Sequence, residues 1–155
     1  MRRTQILLPH RVLEAMKREA RRRYPNESGG VLLGYRDVGD SRLIQVLDQI
    51  GPGPRAVHKP RRFEPDAEWQ AERVASAYAD SGRIATYLGD WHSHPRGFAT
   101  PSELDRSTAR EIARYAAARA PNPLIVILHG KPGAWNIAAH RRGRWRLRPI
   151  RVTLT

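Results

Sequence analysis

One stretch, residues 83–105, constrains the fold more than any other. Residues 83–88 alternate in polarity and include β-branched and aromatic side chains, so they read as a strand. That strand continues to Trp91 and delivers His92-Ser93-His94 at its end. A strand turns residues i and i+2 to one face, which sets His92 beside His94 and points Ser93 away. After a loop containing Gly97, Thr100-Pro101-Ser102-Glu103 has the make-up of a helix start. Thr100 would be the N-cap, Pro101 the first helical residue, and Glu103 would close a capping box. Ser102 and Asp105, three apart, then share a helical face. In this reading two imidazoles from a strand end and one carboxylate from the next helix converge on one point. Two His and one Asp, with a position left for water, make up an open catalytic zinc site.

Composition narrows the alternatives. The chain has no cysteine, so there is no disulfide framework and no thiolate to act as ligand or nucleophile; a metal must be held by His and carboxylate. Its 155 residues, 40% of them hydrophobic, suit a single domain spanning residues 1–155. No run of eighteen apolar residues occurs, and the apolar part of residues 1–9 is too short for a secretory signal, so a cytoplasmic protein is expected. The net charge of +13 raises nucleic acid as a partner. Arginine is spread along the whole chain and far outnumbers lysine, and no helix-turn-helix, Cys/His finger or RNP-type aromatic pattern appears. A nucleic-acid role is therefore not expected, and an acidic protein partner is the preferred use of the basic surface.

Along the chain, residues 4–8 read as a short strand and residues 11–23 as a helix. Val12, Leu13, Met16 and Ala20 form the apolar stripe of that helix, and its C-terminal cations suit the dipole. Tyr24-Pro25-Asn26 ends it. Glu27 precedes Ser28-Gly29-Gly30 and a strand at 31–35; the twin glycines permit close approach of a substrate or a neighbouring strand. A second strand at 43–50 is expected to run antiparallel to the first. Residues 55–63 read as an irregular basic loop, with His58 a loop residue rather than a second metal ligand. Pro65-Asp66 opens a helix to about Asp80, and the helix beginning at Pro101 is expected to reach about Ala120. The apolar run 124–128 reads as a buried strand, followed by strands at 134–139 and 145–154. His10 is expected at the surface, and His129 and His140 are expected to be structural.

The spacing His92-Ser93-His94, seven residues, Ser102, two residues, Asp105 resembles the signature of the JAMM (MPN-domain) zinc metalloproteases. Those enzymes cut ubiquitin or ubiquitin-like proteins from their conjugates. The family also uses a glutamate just before an upstream strand, and Glu27 in Pro25-Asn26-Glu27-Ser28-Gly29-Gly30-Val31-Leu32-Leu33-Gly34 fits that place. The resemblance implies an α/β MPN fold, a mixed β-sheet sandwiched by helices in the order β-α-β-β-α-β-α-β-β-β. It implies one Zn2+ per chain on His92, His94 and Asp105. Glu27 would carry a proton from water to the leaving amine, and Ser102 would donate a hydrogen bond to the oxyanion. Within the family, Tyr87-Leu88-Gly89-Asp90-Trp91-His92-Ser93-His94-Pro95, preceded by Phe63-Glu64-Pro65-Asp66, looks most like a prokaryotic deubiquitinase-like branch. Members of that branch are encoded beside E1-like and E2-like enzymes in anti-phage (CBASS-type) operons. The partners implied are a ubiquitin-like protein or its conjugate and an operon E1/E2-like enzyme, with no membrane. Two alternatives stand beside this reading: a JAMM peptidase that processes a sulfur-carrier protein, and a non-catalytic MPN scaffold. Such scaffolds usually lose ligands, whereas all five site residues are present here.

Overall fold

The apolar run of the C-terminal half forms the strand that the rest is laid against. In the computed structural model, which describes residues 3–155, this strand β7 spans Leu124–Lys131, and its first five residues are all buried. Met1 and Arg2, part of the N-terminal stretch weighed as a signal, lie outside the described residues. A run without alternation needs cover on both faces, and β7 has it. On one face it meets the apolar stripe of α1 (His10–Arg23), where Val12, Leu13, Met16 and Ala20 join Leu124, Val126 and Leu128 in the main core with Trp91. On the other, Ala109 of α3 (Glu103–Arg114) packs on Ile125 and Ile127.

The remaining strands are β1 (Gln5–Leu8), β2 (Gly29–Arg36), β3 (Leu43–Ile50), the short β4 (Val57–Lys59) and β5 (Arg62–Glu64), β6 (Thr86–Pro95), β8 (Ala134–Arg142) and β9 (Leu147–Leu154). The helix α2 (Ala67–Asp80) lies between β5 and β6; Asp66 caps it, accepting from the Trp69 N–H. β2 and β3 pair antiparallel, as the sequence suggests, while β6 and β7 pair parallel. The sheet is mixed but is not an open layer between helices. It closes as a barrel in the order β1-β3-β2-β6-β7-β8-β9, with β9 returning to pair parallel with β1 from Gln5↔Arg151 to Leu8↔Leu154. That seam joins the two ends of the chain, so no local pattern announces it.

Two further expectations are corrected, and one open alternative is decided. Residues 55–63 are not irregular: β4 and β5 form a hairpin, adding two strands to the expected order. The helix expected from Pro101 to Ala120 starts at Glu103 and ends at Arg114, followed by a 3-10 turn at Ala116–Ala118. Two overlapping capping templates exist in the sequence, and Ser102-x-x-Asp105 wins over Thr100-x-x-Glu103. Pro101 then sits one residue outside the cap and is buried. Of the two approaches the twin glycines permit, by a substrate or by a neighbouring strand, the second is the one found. A Cβ on Gly29 would stand 2.4 Å from the Trp91 carbonyl oxygen and 2.8 Å from the Phe63 ring, and one on Gly30 only 1.9 Å from the Ile50 carbonyl oxygen. Neighbouring strands and the hairpin fill both places.

Candidate metal centre

β6 runs on through both histidines rather than stopping before them. His92 is registered with Ile127 and His94 with His129 of the parallel neighbour β7, so the imidazoles stand on the face that α3 covers. Ser93 points the other way, fully buried; its hydroxyl accepts the Ser28 N–H at 2.9 Å. The Ser93 N–H in turn donates to the Ser28 carbonyl at 2.8 Å. One strand residue therefore fixes the segment that carries Glu27, while its two neighbours face the site.

Asp105 reaches the imidazoles from the first turn of α3. Its Oδ1 lies 3.1 Å from His92 Nε2 and its Oδ2 3.4 Å from His94 Nε2, with the three side chains only 12–13% exposed. The two Nε2 atoms are 2.9 Å apart. Asp105 is held there by a reciprocal cap: Ser102 Oγ accepts the Asp105 N–H at 3.1 Å, and Asp105 Oδ2 accepts the Ser102 N–H at 2.7 Å. The Ser102 hydroxyl uses a lone pair in that bond, so its own proton remains free to donate. Ser102 and Asp105 are thus joined through the cap rather than through a shared helical face.

His94 Nδ1 lies 2.8 Å from the Phe98 carbonyl oxygen. A carbonyl can only accept, so Nδ1 carries the hydrogen and Nε2 turns a lone pair toward its neighbours. Bringing two imidazole nitrogens and a carboxylate together is repulsive or wasteful unless a cation or proton lies among them. Tetrahedral zinc with bonds of about 2.0–2.1 Å spaces its ligand atoms roughly 3.3 Å apart, close to the 2.9–3.4 Å found here. Among the described residues, His92, His94 and Asp105 form the group that could hold a metal ion, each offering one ligand atom. The residues fit the ion.

The electrostatics follow from the packing. Burial alone would raise the Asp105 carboxyl, but bonds from His92 and His94, the charge of His92 and the Ser102 N–H hold it well below its usual range. Burial disfavours the His94 imidazolium, yet the Asp105 bond, the Phe98 carbonyl and the charges of Asp105 and Glu27 outweigh this and raise its pKa. Burial lifts the Glu27 carboxyl above its ordinary value; His92 and His94 oppose that rise and Asp105 adds to it. Glu27 therefore shares the field of the three clustered side chains without being one of them.

The backbone of Glu27 is gripped by the hairpin that sequence reading leaves as a loop. The Glu27 N–H donates to the Lys59 carbonyl at 2.8 Å, and His58 Nδ1 donates to the Glu27 carbonyl at 2.9 Å. The His58 ring lies near Phe63, with centroids 5.5 Å apart, and Phe63 occupies the space a Cβ on Gly29 would need, at 2.8 Å. His58 is accordingly neither a loose loop residue nor part of the metal-capable group. Its only sequence signal is a histidine five residues before an aromatic, which is too weak to single it out. His140 is buried in β8 under α3, where burial lowers its pKa, and His10 is exposed at the start of α1.

Residues 9–147 match the family model described as prokaryotic homologs of the JAB domain. The chain is 38% identical over 131 residues to a probable metalloprotease, y4qB, of Sinorhizobium fredii, covering 84% of this chain and 79% of that protein. It is 30% identical over 110 residues to a CD-NTase/cGAS isopeptidase of Escherichia coli, covering 70% of this chain and 65% of the relative. The fold is shared with the solution structure of protein DSY2949 from Desulfitobacterium hafniense, at a TM-score of 0.72 and 24% identity over 97% of this chain and 92% of that one.

Proposed function

The chain belongs to the family of prokaryotic homologs of the JAB domain, and from that premise we propose that it is a zinc-dependent isopeptidase or peptidase. It would cleave after the C-terminus of a ubiquitin-like protein, removing it from a target or trimming its tail. The observation that carries this reading is the convergence of His92, His94 and Asp105 within hydrogen-bond distance, beside Glu27 and Ser102. Relatives named metalloprotease and CD-NTase/cGAS isopeptidase support the same class of reaction; an antiviral setting is part of the proposal. The reading takes residues 1–155 as one JAMM/MPN domain working in the cytoplasm. Among the described residues no helix is long and apolar enough to cross a membrane.

His92, His94 and Asp105 would hold the ion. Zinc bound there supplies Lewis acidity, which makes water acidic enough to lose a proton near neutral pH. Glu27, whose carboxyl pKa burial raises, would accept a proton from water and return it to the leaving amine. Ser102 donates its unused hydroxyl proton to the oxyanion of the tetrahedral intermediate, a contribution on the order of 3 kcal/mol. With no cysteine in the chain, water rather than a thiolate is the nucleophile.

The test pairs metal analysis with cleavage of a ubiquitin-like protein, encoded beside the gene, fused to a reporter. Wild type should carry about one zinc and cut at the fusion joint. Glu27→Ala should keep the metal and lose turnover, whereas Asp105→Ala should lose both. Cleavage by Glu27→Ala at the wild-type rate would remove Glu27 from the mechanism. Zinc bound without cleavage of any such fusion would favour the scaffold, and cleavage confined to a sulfur-carrier fusion would move the substrate to that class.

A further inference from the structure

Arginines far apart in the sequence converge at the other end of β7 from the metal centre. A groove of about 960 Å³ is lined there by Arg3, Arg42, Arg141, Arg142, Arg148 and Arg151, and none of its lining residues is acidic. Arg141 is registered with Leu124 at the start of β7, while His94 is registered with His129, five residues further on. At a strand rise of about 3.3 Å per residue the two sites lie roughly 16 Å apart along the sheet.

Arg42 pairs with Asp40 at 3.2 Å, and the crowding of positive charge at the groove centres on Arg141. Arg141 and Arg148 stand directly opposite each other in the β8–β9 ladder, where like charges destabilise the pair. Arg141 Nε is buried and makes no hydrogen bond, and the same holds for Nη1 of Arg36, whose Nη2 donates to the Asn122 carbonyl at 3.1 Å. Asn122 itself lines the groove. Burial, and secondarily the nearby Arg141, works against the charge of Arg36. Buried donors without acceptors are costly; Arg36 is joined to the groove through Asn122 without lining it, so an anion in the groove would chiefly answer the opposed pair Arg141 and Arg148.

The lip of the groove adds an aromatic platform. The β8–β9 turn is closed by the Gly143 N–H donating to the Arg146 carbonyl at 2.9 Å, and Gly143 lines the groove. The next residues in the turn present Trp145, 79% exposed, with the Arg144 guanidinium 5.0 Å from its ring centroid. A large, outward aromatic beside fork-shaped phosphate donors serves unstacked bases and a phosphodiester backbone together. Unstacked bases use that surface fully, whereas a duplex keeps its bases inside.

We propose that this groove binds single-stranded nucleic acid, with Arg141, Arg148 and their neighbours on the phosphates and Trp145 stacked against a base. The site is independent of the peptidase reading. Dispersal of the arginines along the sequence disguises it, because β8, β9 and the chain's N-terminal segment meet only after the barrel closes.

Fluorescence anisotropy on the full, metal-loaded chain tests the proposal. The probes are a labelled 20-nucleotide oligo-dT, a blunt duplex of equal length, and poly-glutamate as competitor, at 50 and 200 mM salt. Oligo-dT should bind more tightly than duplex and weaken steeply with salt. Arg141→Gln/Arg148→Gln and Trp145→Ala should each lose tenfold or more, while Arg18→Gln/Arg21→Gln on the exposed face of α1, which removes the same charge elsewhere, should change binding less than threefold. An equal loss in the α1 variant would reduce the effect to net charge. Poly-glutamate competing as strongly as oligo-dT, without response to Trp145→Ala, would make this an acidic-protein face. No binding at 50 mM salt would overturn the proposal outright. Trp145 lies in an exposed turn, so Trp145→Ala carries the test even if the double arginine variant, checked by circular dichroism, fails to fold.

Discussion

Asp105 serves two structures at once, the cap of α3 and the imidazole pair, and this double use explains why the site was so legible in the sequence. Ligand spacing and capping spacing coincide in Ser102-x-x-Asp105, so a motif and a fold signal point to the same residues. Glu27 lacked any such redundancy. A lone carboxylate before a strand reads as an exposed loop residue, and only the family resemblance singled it out. What positions it is spatial: Ser93 grips the next residue, Ser28, while Lys59 and His58 hold Glu27 itself from the hairpin. His58 is expected to be a positioning residue, acting through the Glu27 carbonyl. His58→Ala should lower kcat tenfold to a hundredfold with KM and zinc content unchanged, the size of loss that small misplacements produce. His58→Asn, whose amide can donate from nearly the place of Nδ1, should restore most of it. A rise in KM at constant kcat would instead assign His58 to substrate binding.

At the scale of elements, period and punctuation located the strands and helices, and their ends were where tertiary contacts intervened. The α3 start moved two residues because the Asp105 carboxylate is drawn both to the cap and to the imidazoles. The β4–β5 hairpin was invisible because each strand is three residues long and mostly exposed, with no buried face to impose alternation. The glycines at the start of β2 were recognised as a place of close approach, and the visitor proved to be the sheet itself. Gly30→Ala must drive a Cβ into the Ile50 backbone 1.9 Å away, and the obstacle is a carbonyl that cannot swing aside. That variant should fail to accumulate as soluble protein. Gly51→Ala, one residue beyond β3 and with nothing within 4 Å of the new Cβ, should stay within about 0.5 kcal/mol of wild type in urea unfolding. Similar behaviour of the two would mean that β2 can separate from β3 at little cost.

For the whole molecule, the decisive event is closure of the sheet through β1 and β9, a pairing between residues as far apart as Gln5 and Arg151. Alternation within each strand is the same whether a sheet stays open or closes, so the expected mixed sheet sandwiched by helices carries no sign of closure. Closure makes the barrel a frame onto which the candidate metal centre is hung from one side, by β6 and the first turn of α3. An ion at that centre binds the native state and not the unfolded chain. At zinc a thousandfold above its Kd it should therefore raise stability by about 4 kcal/mol, on the order of 10 °C in Tm. The gain is not spread evenly. Any opening that lifts α3 from β6 must also break the site, so amides of residues 92–114 should exchange more slowly in the zinc form by the full binding free energy. Amides that open only with the whole molecule should gain as well. Local fraying at the β1–β9 seam leaves the site intact and should exchange at the same rate with zinc or with chelator. Hydrogen exchange followed by mass spectrometry on both forms reads this contrast directly. Protection that rises equally at the fraying seam would show that the barrel and the metal centre open as one unit, and that the ion completes the frame instead of resting on it.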